Sequence, residues 1–234
     1  MTYLPCLEVE SEPSLAAVAS VIWLHGLGAY PHDFAAAVPN FYSSSTKSVR
    51  FIFPFAPEIP VTVNGGYVMP AWYDILEMNI ERKVDEQQLT ASAAAIHALI
   101  EREIARGVSS NNIILAGFSQ GGAVVYHAAL TYEKPLAGLL VLSSYLAIHA
   151  NLEINAANQR IPILIQHGSE DDVVDEVLGQ KAYRLLADRG CDVTYESYVM
   201  EHTLCDEQIT SISAWLHARL DRSDHSVRHA GSNV

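Results

Sequence analysis

An α/β domain built on a mainly parallel sheet is the fold this chain predicts, and three observations carry that expectation. Short apolar runs alternate with amphipathic segments along the 234 residues. Most of the runs are continuous rather than alternating, as strands covered on both faces must be. One run, "NIILA", leads directly into "GFSQGG", a serine set between glycines.

The expected strands are 4–9, 20–25, 49–54, 112–117, 136–143, 162–167 and 193–199. The last, "VTYESYV", alternates less cleanly and belongs nearer an edge. Between them, Leu89, Ala93, Ile96, Ile100 and Ile104 form one stripe at helical spacing. Asp85, with Gln88 three residues later, caps that helix, and Gly107 stops it. A second helix starts just after Ser119, and a third covers 175–188 and ends near Gly190. A fourth carries Ile209, Ile212, Leu216 and Leu220 on one face. Strand–helix alternation of this kind points to an α/β architecture. One domain over 1–222 is expected, with 223–234 a tail without apolar periodicity.

Composition narrows the function. Lys plus Arg is 14 against 27 Asp plus Glu, a net charge of −13, so a nucleic-acid partner is not expected. "MTYLPCLEVE" lacks the basic and apolar regions of a signal peptide, and "LAAVASVIWL" is too short to span a bilayer. Three widely spaced cysteines, Cys6, Cys191 and Cys205, form no CxxC and no disulfide framework. A cytoplasmic location is the expectation. No residue cluster has zinc-ligand spacing, and no G-x-G-x-x-G opens a nucleotide site, so neither metal nor cofactor is expected.

"GFSQG" fits G-x-S-x-G, with a strand before it and a helix after it. In that setting the serine stands on a sharp, strained turn, and glycines avoid clashes there. A serine hydroxyl needs a base, and the base needs an orienting acid. "HGSEDDVV" offers Asp171 or Asp172 just past a strand, and "VMEHTL" offers His202 past another. The order Ser, Asp, His, each at a strand's carboxyl end, suits an α/β sheet. Backbone amides for an oxyanion are expected from Gln120 and from Leu27 in "LHGLGAY". Cys205 reads as a small hydrophobe, and His25 and His167 as partners of loop backbone.

Together, "LHGLGA", "PVTVNGGYVMPAWYDI", "AGFSQGGAVVYHAAL", "LSSYLA", "HGSEDDVV" and "YVMEHTLCDEQI" resemble the carboxylesterase / acyl-protein thioesterase / lysophospholipase family, most closely its bacterial carboxylesterase branch. The resemblance spans about 15–221. It implies an α/β-hydrolase fold, a mostly parallel sheet with helices on both faces, a minimal lid, and no metal or cofactor. It implies Ser119 as nucleophile, Asp171 as acid, His202 as base, and Leu27 and Gln120 as oxyanion amides. It also suggests an acyl-binding wall at Trp72, Ile75, Leu76 and Val173, against an equal case for core packing in 69–76. Departures are Ala29 for a common Asp, Asp172 and Asp175 where prolines are common, and Glu201 for Gly before the base. A carboxylate near the His202 ring would favour imidazolium. The implied substrate is a small ester or thioester, or an acylated protein. A lysophospholipase would need a surface that meets lipid, and a non-catalytic binding protein would not need a complete triad. Oligomeric state is left open, a homodimer among the options.

Overall fold

A computed structural model describes residues 3–78, 82–150 and 152–221; the expected tail at 223–234 lies outside them. Seven strands form one sheet: β1 (Cys6–Glu10), β2 (Ala17–Leu24), β3 (Ser48–Pro54), β8 (Ile113–Phe118), β9 (Gly138–Leu142), β10 (Pro162–Gly168) and β11 (Asp192–Tyr198). Their order is β1-β3-β2-β8-β9-β10-β11. β1 runs antiparallel to β3 and every other pairing is parallel. All seven expected strands lie in this sheet, and the less regular "VTYESYV" is its edge.

The continuous apolar runs are explained by burial on both faces. In β8, Ile113 and Leu115 pack on one side and Ile114 and Ala116 on the other; β9 divides likewise into Leu139 and Val141 against Leu140 and Leu142. The first face is covered by α3 (Glu86–Ala105), α4 (Gln120–Thr131) and α5 (Glu176–Asp188). The second is covered by α2 (Val38–Phe41) and α6 (Asp206–Leu220), where Phe41 stacks on Trp23 with ring centroids 4.6 Å apart.

Helix boundaries follow side-chain chemistry. The Asp85 carboxylate accepts the Gln88 N–H at 3.0 Å, and Asp175 caps α5 through the Val177 N–H at 2.9 Å. Not foreseen were α1 (His32–Ala35) and α2, each one turn long, and two hairpins. These hairpins pair β4 (Glu58–Val61) with β5 (Tyr67–Pro70) and β6 (Ile75–Glu77) with β7 (Lys83–Val84). Strands of two to four residues carry too few positions for a period to show.

Glu103 on α3 is wholly buried. Its carboxylate accepts from Arg50 at 2.8 Å, Ser20 at 2.9 Å and Arg106 at 3.0 Å. Burial alone would raise its pKa, but bonds from Arg50 and Ser20 and the nearby guanidiniums hold it below the usual glutamate range. Glu103→Gln removes the buried charge that Arg50, Arg102 and Arg106 share, leaving them only Glu8 and Glu10 among the described residues, and is expected to cost about 3 kcal/mol. Melting should fall by roughly 10 °C at pH 7. A carboxyl held low in the fold contributes stability above the ordinary glutamate range and loses it as pH falls. The gap between wild type and variant should therefore shrink on acidification; a gap unchanged from neutral to acidic pH would count against this role.

Candidate active site

The site lies at the carboxyl ends of the parallel strands. Ser119 follows β8 and caps α4 with φ 54° and ψ −120°, a conformation that costs about 1–3 kcal/mol for a non-glycine residue. The chain around it explains how the strain is held. Ser119 N–H donates to the Leu142 carbonyl at 2.9 Å, and its own carbonyl accepts from the buried Ser144 hydroxyl at 2.6 Å. The glycines serve close approach. A Cβ on Gly117 would stand 2.6 Å from the Gly121 carbonyl, and one on Gly121 would stand 2.6 Å from the carbonyls of Leu24 and His25.

His202 follows the edge strand β11, and Asp171 follows β10. His202 Nδ1 lies 2.7 Å from Asp171 Oδ2. The other oxygen, Oδ1, accepts the N–H groups of Val173 at 3.0 Å and Val174 at 2.8 Å. The Asp171 side chain is fully buried, while Asp172 is exposed; of the two acids offered by the sequence, Asp171 is the one on the histidine. Burial alone would raise the Asp171 pKa. Hydrogen bonds from His167, His202 and the Val174 amide outweigh it and hold the carboxyl far below the usual range. Glu201 is exposed, and no ion pair joins it to His202 among the described residues, so the expected influence on the ring has no contact behind it.

Ser119, His202, Leu27 and Gln120 line one cleft of about 390 Å³. Among the described residues no hydrogen bond joins the Ser119 hydroxyl to the ring. Such contacts are often long without substrate and tighten when it binds. The amides of Leu27 and Gln120 have no acceptor among the described residues. For Gln120 that follows from its place as the first residue of α4, where an amide has no partner in its own helix and the helix dipole favours negative charge. The Leu27 loop is in contact with the elbow: a Cβ on Gly26 would stand 3.3 Å from Ser119 Cβ.

His25 and His167 bond loop backbone, as expected from their place before glycines. His25 Nδ1–H donates to the Gly26 carbonyl at 2.8 Å, and Nε2 accepts the Ala56 N–H at 3.3 Å. Burial pushes the His25 pKa down, which suits a ring that must keep one nitrogen free to accept. His167 does more than its position suggests. Its Nε2 donates to the Val174 carbonyl at 2.8 Å and lies 3.5 Å from Asp171 Oδ2, so it braces the acid as well as the loop.

Of the expected acyl wall, Ile75 and Val173 line the cleft and Trp72 and Leu76 do not. Trp72 is 1% exposed and ties the site from behind. Its indole N–H donates to the His25 carbonyl at 2.9 Å, and its backbone N–H donates to Gln120 Oε1 at 2.9 Å. Leu76 neighbours Ile75 on β6, and adjacent strand residues point to opposite faces. The sequence reading missed Phe118, whose ring centroid is 4.7 Å from that of His202, and Tyr145 and Arg82, which also line the cleft. Tyr145 lies within the "LSSYLA" block and Phe118 is the variable residue of the serine motif, so both were in view without a signal of direction.

The phospholipase/carboxylesterase family profile matches residues 4–220. An acyl-protein thioesterase 1 of Neurospora crassa is 37% identical over 215 residues, covering 87% of this chain and 88% of that protein. A probable carboxylesterase SOBER1-like protein of Arabidopsis thaliana is 32% identical over 88% of this chain and 80% of its own length. The crystal structure of Arabidopsis thaliana SOBER1 superposes with a TM-score of 0.82 at 31% identity, covering 86% of this chain and 99% of that one. By its profile match and these identities, the chain belongs to the phospholipase/carboxylesterase family.

Proposed function

We propose that this chain is a serine hydrolase that cleaves carboxylic esters through an acyl-enzyme. The observation that carries the reading is Ser119, held at positive φ on the strand–helix elbow, sharing one cleft with the His202–Asp171 pair. Ser119 Oγ attacks the acyl carbonyl while His202 Nε2 takes its proton. Asp171 holds Nδ1–H and stabilises the imidazolium. The amides of Leu27 and Gln120 bind the oxyanion as charge develops there. The C–O bond to the leaving group breaks, and His202 returns the proton to the departing alcohol. A water then gives a proton to His202 and adds to the acyl carbon; the bond from that carbon to Ser119 Oγ breaks, His202 returns the proton to Oγ, and the acid leaves.

A thioester serves the same machinery, and its thiolate leaves with less need of that proton. The thioesterase name of the Neurospora relative favours this second reading, with an acylated protein as substrate. Among the described residues no helix is long and apolar enough to cross a membrane. The three cysteines are free, which fits a reducing cytoplasm.

The test is kcat/KM on p-nitrophenyl esters from acetyl to palmitoyl, beside thioesters of the same acyl groups. A maximum at short to medium oxyesters is expected. A maximum at long acyl chains with thioesters ahead at every length would move the assignment to acyl-protein thioesterase. Turnover of neither series above background would overturn the hydrolase reading.

A further inference from the structure

Tyr145 stands between two spaces. On one side is the cleft of Ser119. On the other is a cavity of about 70 Å³ lined by Leu146 and His149 and by Leu178, Lys181, Ala182 and Leu185 of α5, its apolar side chains outnumbering the two polar ones. Tyr145 lines both and is itself 4% exposed. An acyl group attached to Ser119 has the apolar side chains of Ile75 and Val173 to lie against, and the cleft's lining also includes Tyr145.

The ring is braced. Its hydroxyl is 2.7 Å from that of Tyr73, which has no exposed surface, and the Arg82 guanidinium lies over the ring face at 5.0 Å. Burial raises the pKa of both phenols, so the pair stays neutral and shares a hydrogen bond. A side chain held at its tip and its face cannot swing aside without losing these contacts.

We propose that Tyr145 is a specificity-determining residue: its ring partitions the acyl cleft from the α5 cavity and so limits the length of acyl chain the site accepts. This rests on the hydrolase reading above. Removing the ring joins the two spaces and gives a longer chain the side chains of Leu146, Leu178, Ala182 and Leu185 to bury against. Each methylene buried is worth roughly four-fold in binding, so admitting three more should favour the longer substrate by roughly fifty-fold.

Two measurements test this. The first is the ratio of kcat/KM for decanoyl over butyryl p-nitrophenyl esters in wild type, Tyr145→Ala, Tyr145→Leu and Tyr145→Phe, each checked for folding by circular dichroism. The ratio should rise at least about ten-fold in Tyr145→Ala, rise less in Tyr145→Leu, and stay at the wild-type value in Tyr145→Phe, which keeps the ring. The second is calorimetric binding of saturated fatty acids, butanoate to dodecanoate, to Ser119→Ala with and without Tyr145→Ala. The preferred length should increase when the ring is gone. This readout does not depend on turnover: a wild type inactive on every ester and thioester would overturn the hydrolase reading alone. Folded Tyr145→Ala protein with an unchanged length preference in either measurement would overturn the partition. So would a rise in Tyr145→Phe equal to that in Tyr145→Ala, which would place the limit in the hydroxyl pair.

Discussion

Ser119→Ala is expected to lower kcat by about 10⁶-fold, leaving only the acceleration that binding and the oxyanion amides provide. The size of the effect follows from the loss of the nucleophile: water must attack directly, without a covalent intermediate. The fold should survive. The two contacts that hold the elbow, Ser119 N–H to Leu142 and the Ser144 hydroxyl to the Ser119 carbonyl, use backbone atoms of residue 119 and are kept in the variant. Alanine meets the same positive φ as serine, so the strain changes little. The check is a single-turnover rate beside a thermal melt. Unchanged melting with more than about one per cent of wild-type rate would remove Ser119 as nucleophile.

For the acid, Asp171→Asn should lower kcat by about 10⁴-fold with little change in KM, while Asp172→Asn should stay close to wild type. The asymmetry comes from how the carboxylate is used. Oδ1 accepts two backbone amides, Val173 and Val174, so an asparagine would keep its oxygen there and turn its NH₂ toward His202. That donor forces His202 Nδ1 to accept, which places the ring proton on Nε2, where it cannot take one from serine. Asp172 is exposed and its charge is screened. Because Asp171 is held well below the usual carboxylate range, it remains ionised across the pH range in which an esterase is assayed. A large loss in Asp172→Asn, with Asp171→Asn near wild type, would reverse the assignment.

The parts of this molecule that were legible in sequence are those whose chemistry is repeated in neighbouring residues. "NIILA" and "PILIQH" read as strands because both faces are buried, and the period of α3 shows over about four turns, from Leu89 to Ile104. The serine motif was legible because its glycines answer a close approach at Gly117 and Gly121 that no other residue allows. What stayed hidden depends on direction rather than composition. "AWYDIL" is apolar throughout, yet Ile75 faces the cleft, Leu76 lies on the other face of β6, and Trp72 is buried behind the site. Choosing between Asp171 and Asp172 needed the resemblance, since either residue satisfies a rule of "acid after a strand"; the two amides on Oδ1 are what separate them. His167 looked like a loop residue and is one, but its reach to Asp171 arises from the turn between 168 and 171, which sequence spacing does not describe.

Gln120 joins two neighbourhoods through one residue. It lines the cleft, and its backbone N–H has no acceptor among the described residues, while its buried side chain accepts from the Trp72 amide and donates to the Tyr73 carbonyl at 2.7 Å. This shapes how such a chain can diverge. On the proposed function, drift at Ser119 would silence the chemistry and leave the architecture standing, its two elbow contacts being made by backbone atoms. Drift at Gln120 removes two of the bonds on the 72–73 segment, leaving the Trp72 indole on the His25 carbonyl and the Ser92 hydroxyl on the Trp72 carbonyl to hold the base of Tyr73, whose hydroxyl meets that of Tyr145. On the proposed function, a change at position 120 would therefore reach both the oxyanion amide and, through Tyr73, the support of Tyr145.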